Sequence, residues 1–239
     1  MEADRGSIGV GAFFIEESTE VRLSSDTLGT GTLINFQDDL GFDEDEEVAR
    51  IAGHYRFKPR HRINFSYFDL SNAATTTLLR DIQFEDTIFT AGSAVRTELD
   101  FKVLNVLYTY SFLQKPKLEL GVSAGVNVYD FDSSITAPQT QTREEGDGTA
   151  SLPVVGVRIR YAFKPKFLFG ASFDYFEIDK SNVEGQVIDI LVGVEHQTWK
   201  NAGLGLGYND VSLEAEDKED EDEIDWEYDG FFAYVRFDF

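Results

Sequence analysis

Arg50, His54 and Arg56 share one face of their segment by alternation, as do Arg158 and Arg160 of theirs; Arg62 and Arg236 hold the same kind of position in two further segments. Glu119, Asp174, Asp189, Glu195 and Asp238 fall on the matching face of other segments. A period of two puts such residues on one side of a strand. If that side turns inward, charges of both signs are enclosed together and must find partners or water. Two chemistries follow. One is a salt-bridge network that plugs the interior; the other is a narrow wet passage whose lining charges screen solutes by size and sign.

Catalysis has little to draw on. The 3 histidines are His54, His61 and His196, and no serine–histidine–acid set or carboxylate pair can be placed beside them. The expectation is a protein without enzymatic activity and without a cofactor. Asp43, Asp45 and Glu47 lack the glycine that a calcium loop needs, so no metal site is expected there. With 0 cysteines, disulfides and thiolate metal sites are excluded. The glycines of residues 203–207 (GLGLG) lie in a strand pattern with no helix after them, so they form no phosphate loop.

The segments that must position these charges read as strands. Residues 118–128 are the clearest case, with Leu118, Leu120, Val122, Ala124, Val126 and Val128 facing away from Glu119, Gly121, Ser123, Gly125 and Asn127. Similar alternation marks 6–15, 48–57, 62–70, 95–112, 150–163, 167–178, 186–198, 202–213 and 230–239. That makes about ten strands, with eight or twelve as neighbouring counts. The face parity slips near Val103 and Leu104, which suggests a β-bulge. Short turns at 58–61, 113–117, 164–166 and 200–201 alternate with long polar loops near 24–47, 72–94, 132–148 and 215–225, with a small hairpin expected around 82–89. Aromatic residues gather beside the short turns, among them Tyr55, Phe57, Tyr110, Phe112, Trp199 and Phe237. Basic residues occupy the turns themselves, and the acid gathers in the long loops.

The last segment, GFFAYVRFDF, places Phe231, Ala233, Val235, Phe237 and Phe239 on one face and closes on an aromatic. It resembles the C-terminal insertion signal of bacterial outer-membrane β-barrels, with Phe231, Val235, Phe237 and Phe239 as the residues that carry it. The resemblance implies an all-β fold: a closed antiparallel up-and-down transmembrane β-barrel over residues 1–239, in the bacterial outer membrane, with both termini periplasmic. Met1 then stands where an export signal has been removed. The resemblance also implies the partners: outer-membrane lipid and lipopolysaccharide around a monomer, and the barrel-assembly machinery during insertion.

Composition agrees with strands and excludes other classes. The 239 residues include 21 Phe and 10 Tyr but only 5 Pro. No apolar run is long enough for a transmembrane helix, so any crossing is made by a barrel. A net charge of −23 is the wrong sign for nucleic acid. A water-soluble barrel with its apolar face inward explains the alternation equally well, but not a polar face so rich in glycine, serine and alanine. The functional expectation is a narrow passive channel for small polar or charged solutes. Arg50, His54, Arg56, Arg62, Glu119, Arg158, Arg160, Asp174, Asp189, Glu195 and Arg236 would line its lumen. The alternatives are a plugged barrel acting as scaffold, adhesin or binding protein through its loops, and an outer-membrane hydrolase.

Overall fold

The computed structural model describes residues 5–24, 28–84, 86–180, 183–219 and 221–239. Met1 and parts of the expected loops (residues 25–27, 85 and 220) lie outside them, as do residues 181–182. The elements in order are β1 (Gly6–Arg22), β2 (Ile34–Asn35), α1 (Phe36–Leu40), β3 (Asp45–Lys58), β4 (His61–Thr77), β5 (Ile82–Phe84), β6 (Thr87–Phe89), β7 (Ala94–Gln114), β8 (Leu118–Ala137), β9 (Thr142–Lys164), β10 (Phe167–Lys180), β11 (Val183–His196), β12 (Ala202–Asp217) and β13 (Asp222–Asp238). Among the described residues, all but α1, β2, β5 and β6 are long strands of one antiparallel sheet. β13 pairs back onto β1, from Ser7 opposite Asp238 to Arg22 opposite Glu223, and this closes the barrel. Closure leaves the long strands no free edge.

Each strand reverses its polarity part-way along, as β13 shows. From the chain end, Phe239, Phe237, Val235, Ala233 and Phe231 point out, and Asp238, Arg236, Tyr234 and Phe232 point in. Beyond Gly230 the outward positions become Asp229 and Glu227, while Tyr228 and Trp226 are buried inside. β1 changes between Phe14 and Glu16, β4 between Tyr67 and Asp69, β8 between Val128 and Asp130, and β12 between Tyr208 and Asp210. The apolar outward stretch of β13 spans the roughly 9–11 residues that one tilted crossing of a bilayer needs. Aromatic residues edge this belt on both sides: Tyr55, Phe112, Trp199 and Phe237 at the short turns, and Phe14, Tyr67 and Phe231 at the reversal. This is the aromatic girdle of a membrane barrel.

The reversal corrects the expected bulge near Val103 and Leu104. β7 pairs with β4 without interruption from Thr77 opposite Ala94 to His61 opposite Tyr110, and with β8 without interruption from Arg96 to Ser111. The alternation never slips there. Only the polarity of the two faces exchanges, Leu104 being the last outward apolar residue and Lys102 the first outward charge. The irregularities among these strands lie instead beside the short turns, at Arg56/Lys58, Ser111/Leu113 and Phe167/Phe169.

Two of the expected long loops are also strand. β8 runs on to Ala137 and β9 begins at Thr142, so most of 132–148 is a hairpin standing above the belt. β12 and β13 pair as far as Asp217 opposite Asp222, which takes up most of 215–225. Their polar outward residues had hidden the strand period. The segments after β1 and β4 are true excursions, and the second carries the expected small hairpin, β5–β6. Both fold back over the barrel end opposite the short turns. There Phe36, Leu40, Ile82, Phe84 and Phe89 join Phe13, Leu70, Leu99, Phe101 and Trp226 in one buried apolar core.

Candidate functional site

Three layers fill the lumen, and the two excursions complete the uppermost. At the short-turn end lies a layer of ion pairs. Arg56 reaches down from β3 to clasp Glu119 of β8 through one nitrogen, 2.8 and 3.0 Å from the two carboxylate oxygens. Its other terminal nitrogen donates to the Pro59 carbonyl at 2.6 Å. Ser111 also hydrogen-bonds Glu119. On the other side of the barrel Arg236 binds Glu195 and Asp238, with the Tyr234 hydroxyl donating to Glu195 at 2.7 Å. Buried ion pairs of this kind hold their geometry when their remaining polar atoms are satisfied.

Above this layer is a cavity of about 250 Å³. Five arginines line it (Arg50, Arg62, Arg158, Arg160 and Arg236), against three carboxylates (Asp174, Asp189 and Glu195). Arg158 pairs with Asp174 at 2.7 Å, and Ser123 donates to the same carboxylate at 3.0 Å. Asp189 accepts from the Asn209 amide at 2.8 Å, while Arg50 donates to the Asn209 carbonyl oxygen, also at 2.8 Å. The Arg50 guanidinium lies 4.9 Å from the Phe13 ring centre and 5.0 Å from that of Phe232. It is held by π-faces rather than by a carboxylate. No carboxylate is within ion-pair distance of Arg62 or Arg160 among the described residues.

All eleven lumen positions expected from the sequence therefore face inward, but they form separate groups. Arg56, Glu119, Glu195 and Arg236 build the layer of ion pairs. Arg50, His54, Arg62, Arg158, Arg160, Asp174 and Asp189 surround the cavity, which Glu195 and Arg236 also reach. His54 accepts a feature that the sequence did not suggest: its Nδ1 lies 2.8 Å from the Ser7 hydroxyl oxygen. Its Nε2 is buried without a partner. Among the described residues no acid hydrogen-bonds the pair, so the third member of a hydrolytic triad is not found there. His61 and His196 sit at the short turns, against Tyr108 and Thr198.

Gly205 and Gly207 have a structural purpose. A Cβ at Gly205 would come within 2.1 Å of the Tyr234 ring, and one at Gly207 within 2.2 Å of the Phe232 ring. These glycines on β12 leave room for aromatic rings from β13, not for a wider passage.

The third layer is the apolar core. Trp226 stacks on Phe101 with ring centres 3.8 Å apart, and Phe13 packs edge-on against Phe68 at 5.5 Å. Beside it, below α1, a pocket of about 310 Å³ is lined by Glu16, Glu17, Asp38, Glu44, Glu227 and Asp229. Glu17 is only 3% exposed, and neither carboxylate oxygen has a hydrogen-bond partner. Among the described residues no group of side chains has the arrangement to hold a metal ion.

No protein-family model matches the chain, and no curated protein matches it. Solved structures are similar to it across nearly the whole chain. The translocator domain of autotransporter NalP from Neisseria meningitidis is 8% identical, covering 100% of this chain and 90% of its own, with a TM-score of 0.48. Ail, the attachment invasion locus protein of Yersinia pestis, is 9% identical, covering 97% and 98%, with a TM-score of 0.37. Neisserial surface protein A is 12% identical, covering 98% and 97%, with a TM-score of 0.39. The closed barrel and its apolar outward belt make the argument for location by themselves. Val122, Ile159 and Ile190 stand exposed on the outer face, and Arg158 and Asp189 point inward. This is the form of a bacterial outer-membrane β-barrel.

Proposed function

We propose that this chain is a monomeric outer-membrane barrel that does not conduct, and that it works as a surface scaffold or binding protein through its acidic, outward-reaching end. The observation that carries this reading is the apolar core. It fills the lumen from Phe13 and Phe68 up to Phe36, Phe84 and Phe89, side chains that are almost fully buried. Water and ions do not cross a packed apolar layer. β7 has 21 residues, which at ~3.3 Å per residue and a ~40° tilt gives a height of roughly 50 Å. The apolar belt of such barrels is ~25 Å tall, so about half of this one stands clear of the membrane.

Several features support the orientation. Both chain ends and the basic short turns share one end, which we assign to the periplasm. The acidic half then faces outward, surrounded at its base by lipopolysaccharide. Phe231, Val235, Phe237 and Phe239 form the strand that the assembly machinery would recognise. An outward-facing acidic wall suits a cationic partner, and loops on a rigid scaffold are common binding sites.

Recording from refolded protein in planar bilayers tests the proposal. Silence is expected at all voltages short of membrane breakdown. Steady unitary currents from protein that shows the heat-dependent gel shift of a folded barrel would restore the passive-channel reading.

A further inference from the structure

We infer that the lumen cavity is a binding site for a small oxyanion, of which inorganic phosphate is the simplest. The charges in the lumen are mismatched. Each lumen carboxylate is already engaged: Glu119 by Arg56, Asp174 by Arg158, Glu195 and Asp238 by Arg236, and Asp189 by Asn209. Arg62 and Arg160 are left over. Arg62 lies opposite Arg56 on one neighbouring strand and Thr109 on the other. Arg160 lies opposite Glu119, whose oxygens are taken by Arg56 and Ser111. Both guanidinium groups line the one cavity.

Arg62 is only 4% exposed, and its Nε has no partner. An enclosed cation without an ion-pair partner of its own is costly, and the cost falls when an anion shares the space. His54 also lines the cavity, with its Nδ1 engaged by the Ser7 hydroxyl. Two planar guanidinium forks suit the tetrahedral oxygens of phosphate. The cavity, about 250 Å³, has room for the ion and several waters. The ion-pair layer below and the apolar core above exclude a lipid headgroup with its acyl chains. The site also lies inside a chain whose net charge is −23, so its selectivity for anions cannot come from the field of the whole protein. This inference does not depend on whether the barrel conducts.

The test is phosphate titration of refolded barrel in a neutral detergent, in phosphate- and sulfate-free buffer, followed by calorimetry and by the shift of the urea unfolding midpoint. Saturable binding is expected, together with a rise of the midpoint with phosphate concentration. Arg62→Gln combined with Arg160→Gln should weaken binding at least tenfold while leaving the unliganded midpoint equal or higher, because it removes unpaired buried charge. Should that variant fail to fold, Asn64→Asp offers a second route. It places a carboxylate on the inward face of β4, two residues from Arg62, and should displace phosphate by the same factor. Lys115→Gln, in a short turn, should bind as the parent does. No saturable binding to the parent protein, or binding unchanged in both lumen variants, would overturn the site; bilayer recordings judge the closed-barrel reading separately.

Discussion

The membrane-embedded half of this barrel and the half beyond it are inside-out versions of each other. In the first, the outer wall is apolar and the interior holds arginine, carboxylate, serine and asparagine side chains. In the second, the outer wall is acidic and the interior holds Trp226, Phe101 and Phe13. One set of strands serves both, changing over within two residues on each. A strand's two faces are chemically independent, so a change of solvent part-way along needs only an exchange of polarity in step with the pleat. The contrast also explains why the lumen is split. The lower half satisfies most of its buried charges with one another and, among the described residues, leaves Arg62 and Arg160 without an ion pair, while the upper half buries apolar surface against water in the ordinary way.

The sharpest test of the upper half is Trp226→Ala. Trp226 is 0% exposed and stacks on Phe101. Removing such a ring costs about 3–5 kcal/mol, because the strands around it cannot collapse into the space. Urea unfolding followed by far-ultraviolet circular dichroism should show this loss. It should show much less for Phe231→Ala, whose ring is 69% exposed on the outer belt. Equal losses at the two positions would mean that the upper half is not a packed core.

The lower half is tested by charge on its outer wall. Leu206 is 68% exposed in the belt of β12. Leu206→Arg should cost about 2–4 kcal/mol in lipid, the scale for a cation on the lipid face near the bilayer centre. Glu214→Arg lies further along the same outward row, beyond Asp210, and should cost less than about 0.5 kcal/mol. Reversed costs would place the membrane at the other half of the barrel.

Much of this division could be read in the sequence, though in pieces. The lower half was legible because its outward residues are apolar and its strands therefore alternate visibly, as in residues 118–128. The inward direction of Arg158 and Asp189 followed from the same parity. The upper half was hard to read because its outward residues, such as Asp130, Asp132 and Glu214, have loop-like chemistry. Its inward residues, such as Tyr129 and Phe131, sit in the parity of the polar face below. A reader following one oily face along β7 meets a break at Lys102 and infers a bulge. The strand in fact continues, and only the solvent changes. The unpaired state of Arg62 and Arg160 could not be read either, because it depends on Glu119 choosing Arg56 across the barrel.

Glu17 makes the upper half sensitive to pH. It lies above the belt, facing inward between Ile15 and Thr19. Burial raises its pKa from 4.5 to about 7; the Trp226 indole N–H, outside hydrogen-bond geometry, pulls it part of the way down, and Glu46 pushes it up. Because the folded pKa is above the unfolded one, the protonated form is favoured in the fold. The penalty is absent below about pH 4.5, grows as pH rises to about 7 and is constant above that. The difference corresponds to about 3 kcal/mol at most. Unfolding midpoints should therefore fall between pH 5 and pH 8, and Glu17→Gln should flatten that fall. A parent and a Glu17→Gln variant with the same pH slope would show that this carboxyl is not enclosed as described.

The smallest effect belongs to the clamp on the inserted segment. α1 is held at its start by Asn35, whose side chain accepts from the Asp38 amide at 2.8 Å, and it ends at Gly41 with φ of 74°. Arg80, in the connection after β4, donates to Asp39 at 3.0 and 2.5 Å and to the Leu33 carbonyl at 2.8 Å. Burial pushes the Asp39 carboxyl up, but hydrogen bonds from Arg80 and the Asn35 amide outweigh it and hold the pKa below its usual value. The pair's contribution is therefore present at neutral pH and is lost as the medium becomes acid enough to protonate Asp39. Arg80 is half exposed, so Arg80→Ala should cost less than about 1 kcal/mol globally. Its effect should be local: faster amide exchange across residues 33–42, with the amides of β7 and β8 unchanged. Exchange that speeds up in the barrel strands as well would show that the inserted segment and the barrel wall open together as one cooperative unit.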